Sequence, residues 1–242
     1  MIAFLKKLLG RSPAQVPAPR PWRYLTPDWS TTDEGRRLIG MLVVRHELDR
    51  QEGLSSSDLH LAAYEMAAPV LAEYLISRGA DIEAKDGQGS TALLVAASLG
   101  NEPFVQVLLE RGAAINAHGK DKMTPLHTAA AQDRVVMMEV LIRNGAEIEA
   151  PAKQGWRPLH YTAINGCRQA AELLVREGAQ KESRDQDGRT PLHYAAYHGH
   201  KSYVEFLIHV GVDREARTLA GETPAMLALA NEHHAISALL RR

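Results

Sequence analysis

The fold is decided by the stretch Thr124-Pro125-Leu126-His127, because close variants of it return at a spacing of 33 residues. A second marker, a glycine followed by alanine or valine, returns at the same spacing, so two sequence registers agree over most of the chain. A fixed period of this length predicts a solenoid, in which no repeat buries its apolar residues alone. The other copies of the first phrase are Thr91-Ala92-Leu93-Leu94, Arg157-Pro158-Leu159-His160, Thr190-Pro191-Leu192-His193 and Thr223-Pro224-Ala225-Met226. The glycines of the second marker are Gly79, Gly112, Gly145, Gly178 and Gly211.

Each repeat carries the signals of two short helices. A threonine at the start of the phrase offers a hydroxyl for the helix N-cap, and the proline after it costs little in a first helical turn. Small residues follow, which let neighbouring helices approach closely, and a glycine then ends the helix in the left-handed conformation. The prolines are Pro125, Pro158, Pro191 and Pro224, the alanine pairs Ala96-Ala97, Ala129-Ala130 and Ala195-Ala196, and the glycines Gly100, Gly166 and Gly199. The second helices carry the larger apolar pairs Leu108-Leu109, Leu141-Ile142, Leu174-Val175 and Leu207-Ile208.

The combined pattern resembles the ankyrin repeat over about residues 58–242. Thr-Pro-Leu-His followed by Ala-Ala, Gly and Gly-Ala matches that family's repeat, and Asp86-Gly-Gln-Gly89 and Asp185-Gln-Asp-Gly188 resemble the turn between its repeats. The resemblance implies an all-α ankyrin-repeat solenoid of helix-turn-helix units with short β-hairpin fingers. It implies about six units, of which the first and last are caps, with boundaries near residues 86, 119, 152, 185 and 218.

A few positions depart from this pattern. Arg157 stands where the family has threonine, and Asp133 and Glu232 stand where it has glycine. The stretch Ala92-Leu93-Leu94 lacks the proline and the histidine. We expect looser local geometry at these positions without loss of the repeat.

The first 57 residues precede the repeats and predict a tail and one helix. Residues 1–27 are basic and rich in proline, which predicts a mobile tail and linker. Residues 28–57 predict an amphipathic helix, over about 31–52, that packs on the stack as an extra N-terminal helix. Residues 1–11 could touch an anionic membrane surface weakly, stay disordered, or fold back on the stack.

The composition limits the class of protein. A composition of 45% hydrophobic and 24% charged residues is typical of a soluble globular protein. Because only 5% of the residues are aromatic, the core must consist mainly of aliphatic side chains. A formal net charge of −1 provides no overall field that would attract nucleic acid. The single cysteine, Cys167, cannot form an internal disulfide, which favours a reducing compartment and a cytoplasmic location.

Eleven histidines raise the question of a metal or catalytic site. His127, His160 and His193 recur at the repeat period, so they should stand about 8 to 10 Å apart, whereas zinc ligands lie about 2 Å from the ion. We therefore predict a structural hydrogen-bonding role for these three histidines and no metal site. Cys167 follows Gly166 and is predicted to be an ordinary turn cysteine. We predict no catalytic residue, no cofactor and no enzyme activity; an unrecognised hydrolytic or metal site would need several titratable groups to converge in space.

The functional prediction rests on the residues that vary between repeats. In ankyrin-like stacks the position before the threonine and the end of the first helix line the fingers and the concave face, where such proteins commonly bind partners. In the middle repeats of this chain these positions hold aromatic residues and an arginine, which are enriched at interface hot spots. The predicted partner-binding residues are Met123, Trp156, Ile164, Arg189, Tyr197 and His198.

Two alternatives stay open for the aromatic residues. Trp156 could instead cover Pro158 or pack on an adjacent finger, and Tyr161 and Tyr194 could join either the surface or the core. Overall we predict a monomeric, non-catalytic scaffold that binds a protein partner and no nucleic acid. The alternative is an adaptor tethered to a membrane surface by its N-terminal segment.

Overall fold

The structure is a computed structural model that describes residues 57–64 and 69–241. All of these residues belong to one compact unit, Leu54–Arg242. The predicted tail over 1–27, its membrane contact and the predicted N-terminal helix lie outside the described residues.

The described residues form six pairs of short helices, which confirms the predicted all-α repeat. The first helix of each pair packs on the first helix of the next pair, and the second helices of the first five pairs form the other layer in the same way. No helix of the described residues exceeds nine residues, and none of them has the length and hydrophobicity to cross a membrane. The helices are α1 Ser57–Tyr64, α2 Pro69–Ser77, α3 Ala92–Leu99, α4 Glu102–Glu110, α5 Pro125–Ala131, α6 Val135–Arg143, α7 Pro158–Asn165, α8 Arg168–Arg176, α9 Pro191–Tyr197, α10 Lys201–His209, α11 Pro224–Ala230 and α12 His234–Leu240.

The loops between the pairs, here called fingers 1 to 5, are tight turns and not the β-hairpins that the resemblance implied. No strand occurs in the described part of the chain. Each finger is closed by one backbone hydrogen bond across its base, such as the 3.0 Å bond from the Asp185 N–H to the Arg189 carbonyl. A turn bond inside each finger, such as the 3.1 Å bond from the Gly188 N–H to the Asp185 carbonyl, accompanies it, and no further backbone bond joins the two arms into a ladder within the described residues. The five fingers comprise residues 86–90, 119–123, 152–156, 185–189 and 218–222.

The core is built from small side chains where the first helices meet. Both alanines of each pair in α3, α5 and α9 are fully buried. Larger residues fill the space between layers, with Tyr203 and Phe104 the largest side chains that are fully buried. The Tyr203 hydroxyl lies 2.6 Å from the Thr162 hydroxyl, so its burial leaves no unpaired polar group.

The recurring histidines join each repeat to the next finger. The Thr124 N–H donates to Nδ1 of His127 at 3.2 Å, so in the neutral ring the proton is on Nε2. That Nε2 lies 3.3 Å from the Trp156 carbonyl oxygen, to which it donates. His160 and His193 make the same contacts with the carbonyls of fingers 4 and 5. His60 reaches the Ser90 carbonyl at 2.8 Å, so the degenerate first unit keeps this link although it lacks the Thr-Pro-Leu-His phrase.

Candidate partner-binding surface

Trp156 ends finger 3 and is fixed by groups from the following repeat. Its indole N–H is shared between Oδ2 of Asp185, at 3.0 Å, and the Tyr194 hydroxyl, at 2.9 Å. The indole ring meets the rings of Tyr161 and Tyr194 edge to face, each with centroids 5.5 Å apart. Trp156 therefore packs on the adjacent finger, and its half-buried ring still reaches the surface.

Asp185, at the start of finger 4, holds this cluster together. Its Oδ1 accepts hydrogen bonds from the backbone N–H groups of Asp187 and Arg189, at 2.9 and 2.8 Å. Its Oδ2 accepts from the Tyr194 hydroxyl at 2.5 Å and from Trp156. The carboxylate is only 8% exposed, and these four donors compensate for its lost hydration.

Tyr194 lies between the carboxylate and the tryptophan. Burial first, and then its hydrogen bond to Asp185, raise the pKa of the Tyr194 phenol well above its ordinary value. The phenol therefore stays protonated at physiological pH and remains a donor to Asp185. Tyr194 is buried at the edge of the core, and Tyr161 is half-buried beside Trp156.

Arg189 ends finger 4 and covers Tyr194. Its guanidinium carbon lies 5.8 Å from the centre of the Tyr194 ring, within the range of a cation–π contact. Its Nε is buried without a hydrogen-bond partner. The nearest carboxylate to its Nη2 is that of Glu222 at 3.9 Å, beyond hydrogen-bond distance.

Tyr197 and His198, at the end of α9, form a second group. Tyr197 is 41% exposed, and its ring meets the His198 ring edge to face with centroids 5.0 Å apart. No ring contact or hydrogen bond within the described residues joins either of them to Trp156. The remaining predicted residues, Met123 and Ile164, are half-buried. The structure thus brings Trp156 and Arg189 together through Tyr194, and it keeps Tyr197 and His198 apart from them.

Sequence reasoning missed Asp185, although the chain holds a signal for it. Asp86 begins finger 1 and makes the same backbone contacts, with Oδ1 accepting from the N–H groups of Gln88 and Ser90. A tyrosine also meets that carboxylate, since the Tyr64 hydroxyl donates to Asp86 Oδ2 at 3.2 Å. The sequence Asp-x-x-Gly at the start of a finger therefore predicts an aspartate that fixes the turn with one carboxylate oxygen and accepts a tyrosine hydroxyl with the other.

Tyr194→Phe should lower the free energy of unfolding by about 1 kcal/mol, because Asp185 loses one donor while the ring packing is kept. Denaturant unfolding of the two proteins would measure the difference. Tyr161→Phe is the matched control, since the Tyr161 hydroxyl has no hydrogen-bond partner among the described residues. Equal effects of the two changes would mean that the bond to Asp185 contributes nothing specific.

The histidines and the cysteine do not assemble a metal site in the described part of the chain. No group of three or more His, Cys, Asp or Glu side chains there could hold a metal ion. Cys167 lies at the N-cap of α8, and its Sγ is 3.5 Å from the Ala131 carbonyl. Burial, followed by the nearby charge of Asp133, raises the pKa of the Cys167 thiol, which disfavours the reactive thiolate.

Comparison with known proteins agrees with the geometry of the helix pairs. The family model described as ankyrin repeats (3 copies) matches residues 59–152 and 149–218, which together are more than half of the chain. A comparison with curated proteins gives no match. The matched segments contain the second to fifth helix pairs and four of the five fingers in full, and all but the first two residues of the first pair. The chain belongs to the ankyrin repeat family.

Proposed function

We propose that this chain binds a protein partner, without catalysis, through its fingers and the ends of its first helices. Ankyrin repeats are generally protein–protein interaction modules and are typically non-catalytic. The observation that carries the proposal is the cluster of Trp156, Tyr194 and Arg189, held by the buried carboxylate of Asp185.

Rigidity is what makes this cluster suitable for binding. Association costs free energy whenever exposed side chains must be ordered, at roughly 0.5–1.5 kcal/mol for each flexible side chain. The hydrogen bonds of the Trp156 indole and the contact of Arg189 with Tyr194 order these groups before a partner arrives. Tryptophan, tyrosine and arginine are also the residue types in which binding energy is concentrated. The half-buried face of Trp156 and the exposed ring of Tyr197 supply the apolar contacts.

Tyr197→Ala should weaken partner binding by about 2 kcal/mol and leave the melting temperature nearly unchanged. Its ring contacts only His198 among the aromatic side chains of the described residues, so its removal leaves the core intact. Trp156 needs a gentler change, because truncation to alanine would also remove the ring that packs on Tyr161 and Tyr194. We therefore pair Tyr197→Ala with Trp156→Phe, which keeps a ring and removes the N–H.

The measurement is quantitative affinity purification with wild-type and variant chains, followed by titration of the recovered partner. Val136→Ala is the matched control, because Val136 is an apolar side chain that is 56% exposed on α6, away from the fingers. A partner that binds both surface variants as tightly as the wild type would contradict the proposed surface.

A further inference from the structure

The guanidinium of Arg189 has no hydrogen-bonded carboxylate among the described residues, and its ion-pair contact with Glu222 spans 3.9 Å. Its backbone N–H is fixed by Asp185, and its side chain lies on the Tyr194 ring. Its Nε is withdrawn from solvent and makes no hydrogen bond, while the side chain as a whole is 32% exposed. A partly desolvated cation is stabilised most by a carboxylate, which accepts two parallel charge-assisted hydrogen bonds from such a planar group.

The carboxylates near Arg189 do not fill this role. Both oxygens of Asp185 already accept two hydrogen bonds each. Glu222 lies 3.9 Å from the Arg189 Nη2, outside hydrogen-bond range, and is itself 41% exposed to competing water. A carboxylate of another molecule that reaches hydrogen-bond distance would therefore replace Glu222 as the partner of the exposed guanidinium edge.

Fingers 2 and 3 add positive charge to this row, whereas finger 4 holds Asp185 and Asp187 beside Arg189 and finger 5 holds Glu222. Fingers 2 and 3 hold Lys120, Lys122 and Lys153 against the single acid Asp121, which is a surplus of two positive charges. Lys153 pairs with Asp121 at 3.1 Å, and Lys120 and Lys122 are exposed.

Successive fingers are separated by about the distance between packed helices, so fingers 2 and 4 lie about 20 Å apart. An extended chain covers that length with about six residues. Trp156 on finger 3 lies between the lysines of finger 2 and Arg189 of finger 4, and Tyr161 borders it.

We propose that this row of fingers binds an extended acidic segment of a partner protein, in which one carboxylate pairs with Arg189. A second acidic residue about six positions away lies near the lysines of finger 2. An apolar residue between them packs on Trp156 and Tyr161. This inference rests on the proposed function, and it names the chemistry of the segment that the surface recognises.

The test starts from a random dodecapeptide library displayed on phage and selected on the full chain. We expect the selected peptides to share an acidic residue close to an apolar one. A synthetic consensus peptide should bind Arg189→Gln roughly tenfold to a hundredfold more weakly than the wild type, which is the loss expected for a hydrogen bond to a charged group. Arg189→Lys, which keeps the charge and loses the planar fork, should fall between the two.

Two controls make the result specific. Arg143→Gln removes an exposed arginine from α6, where it pairs with Glu139, and should leave peptide affinity unchanged. Exchange of the charges, with Arg189→Glu in the chain and lysine for the acidic residue of the peptide, should restore part of the lost affinity. The melting temperature of each variant shows whether it is folded.

The outcomes separate this inference from the proposed function. Peptides that lose affinity with Tyr197→Ala or Trp156→Phe but bind Arg189→Gln as tightly as wild type would overturn the acidic segment and keep the binding surface. Peptides insensitive to all three changes would contradict both. A selection that yields no binding peptide would overturn the recognition of an extended segment.

Discussion

Gly166→Ala is expected to lower the free energy of unfolding by about 2 to 5 kcal/mol, a large loss for the addition of one methyl group. Gly166 ends α7 with φ +70°, a left-handed conformation that costs a residue with a Cβ about 1–2 kcal/mol. A Cβ at this position would also lie 2.7 Å from Nδ1 and 2.8 Å from Cγ of His200. Overlap of this kind typically adds about 1–3 kcal/mol.

The His200 ring cannot move away without losing an interaction. Its Nε2 is 2.9 Å from the Ile164 carbonyl oxygen, one of the last carbonyls of α7, which the helix itself leaves unpaired. Rotation of the ring to make room for the methyl group would break this bond between successive repeats. The His200 ring can therefore avoid the added methyl group only by giving up its hydrogen bond to Ile164.

Gly145→Ala is the matched control for this prediction. Gly145 has φ +89°, but no atom lies within 4 Å of the position of its Cβ. Its substitution should cost only the backbone term, about 1–2 kcal/mol. In Gly166→Ala combined with His200→Ala, part of the loss should disappear, because the clash is absent. Equal losses for Gly166→Ala and Gly145→Ala in denaturant unfolding would show that contact with His200 is unimportant.

The same contact shows what the sequence predicted and what it could not. The spacing of the repeats predicts the glycines that end the first helices, and the structure places Gly100, Gly166 and Gly199 in the left-handed conformation. The partner of each glycine is a side chain about 34 residues later, namely Arg134, His200 or His233. Such pairs become visible only when the repeats are stacked.

Asp133 illustrates the complementary arrangement. It takes the place of a helix-ending glycine, and the side chain that follows it in the next repeat is the small Cys167 instead of a histidine. Asp133 keeps the left-handed conformation with φ 55°, as does Glu232 with φ 64°, so the looser geometry predicted there is not seen. The Asp133 carboxylate also accepts the Ala170 N–H of α8 at 2.8 Å, which compensates for the backbone strain.

The candidate site was less predictable than the fold. Periodicity indicates helices and the positions exposed between them, so Trp156 and Arg189 could be singled out. The orientation of Trp156 depends on Asp185 and Tyr194 in the next repeat, and their distances follow from packing that no local pattern encodes. The prediction of hairpin fingers was wrong for a similar reason, because the turn residues fix only the bonds of the turn, and a ladder depends on how closely the two arms of the finger run.

Acid should destabilise the fold strongly through the recurring histidines. Burial lowers the pKa of His127 to about 4, although hydrogen bonds to backbone carbonyls oppose the shift. Burial likewise lowers the pKa values of His160 and His193. The pKa of an unfolded histidine is about 6.5, so between these values the unfolded chain binds more protons than the folded one. Stability therefore falls as pH decreases from about 6.5 to about 4, by about 3 kcal/mol for His127 alone.

His127→Met tests this contribution with a side chain that the chain itself uses. Met226 occupies the equivalent position of the last repeat, where its Sδ lies 3.5 Å from the Thr223 nitrogen. The variant should be less stable at neutral pH, because the Trp156 carbonyl loses its donor. Between pH 7 and pH 4, however, its unfolding free energy should fall by about 3 kcal/mol less than that of the wild type.

The comparison of the two proteins isolates the histidine from the carboxylates, which titrate in both of them over the same range. His209→Gln is the control, since the His209 side chain is exposed on α10 and should leave the acid loss unchanged. If the unfolding free energy of His127→Met fell with decreasing pH as steeply as that of the wild type, the His127 ring of the wild type would be protonated in the folded state without cost. In that case His127 would have to keep both ring nitrogens hydrogen-bonded as donors, which the N–H of Thr124 pointing at Nδ1 opposes. The predicted acid loss thus follows from the same arrangement that joins each repeat to its neighbour: a neutral imidazole that accepts at its own helix start and donates to the next finger.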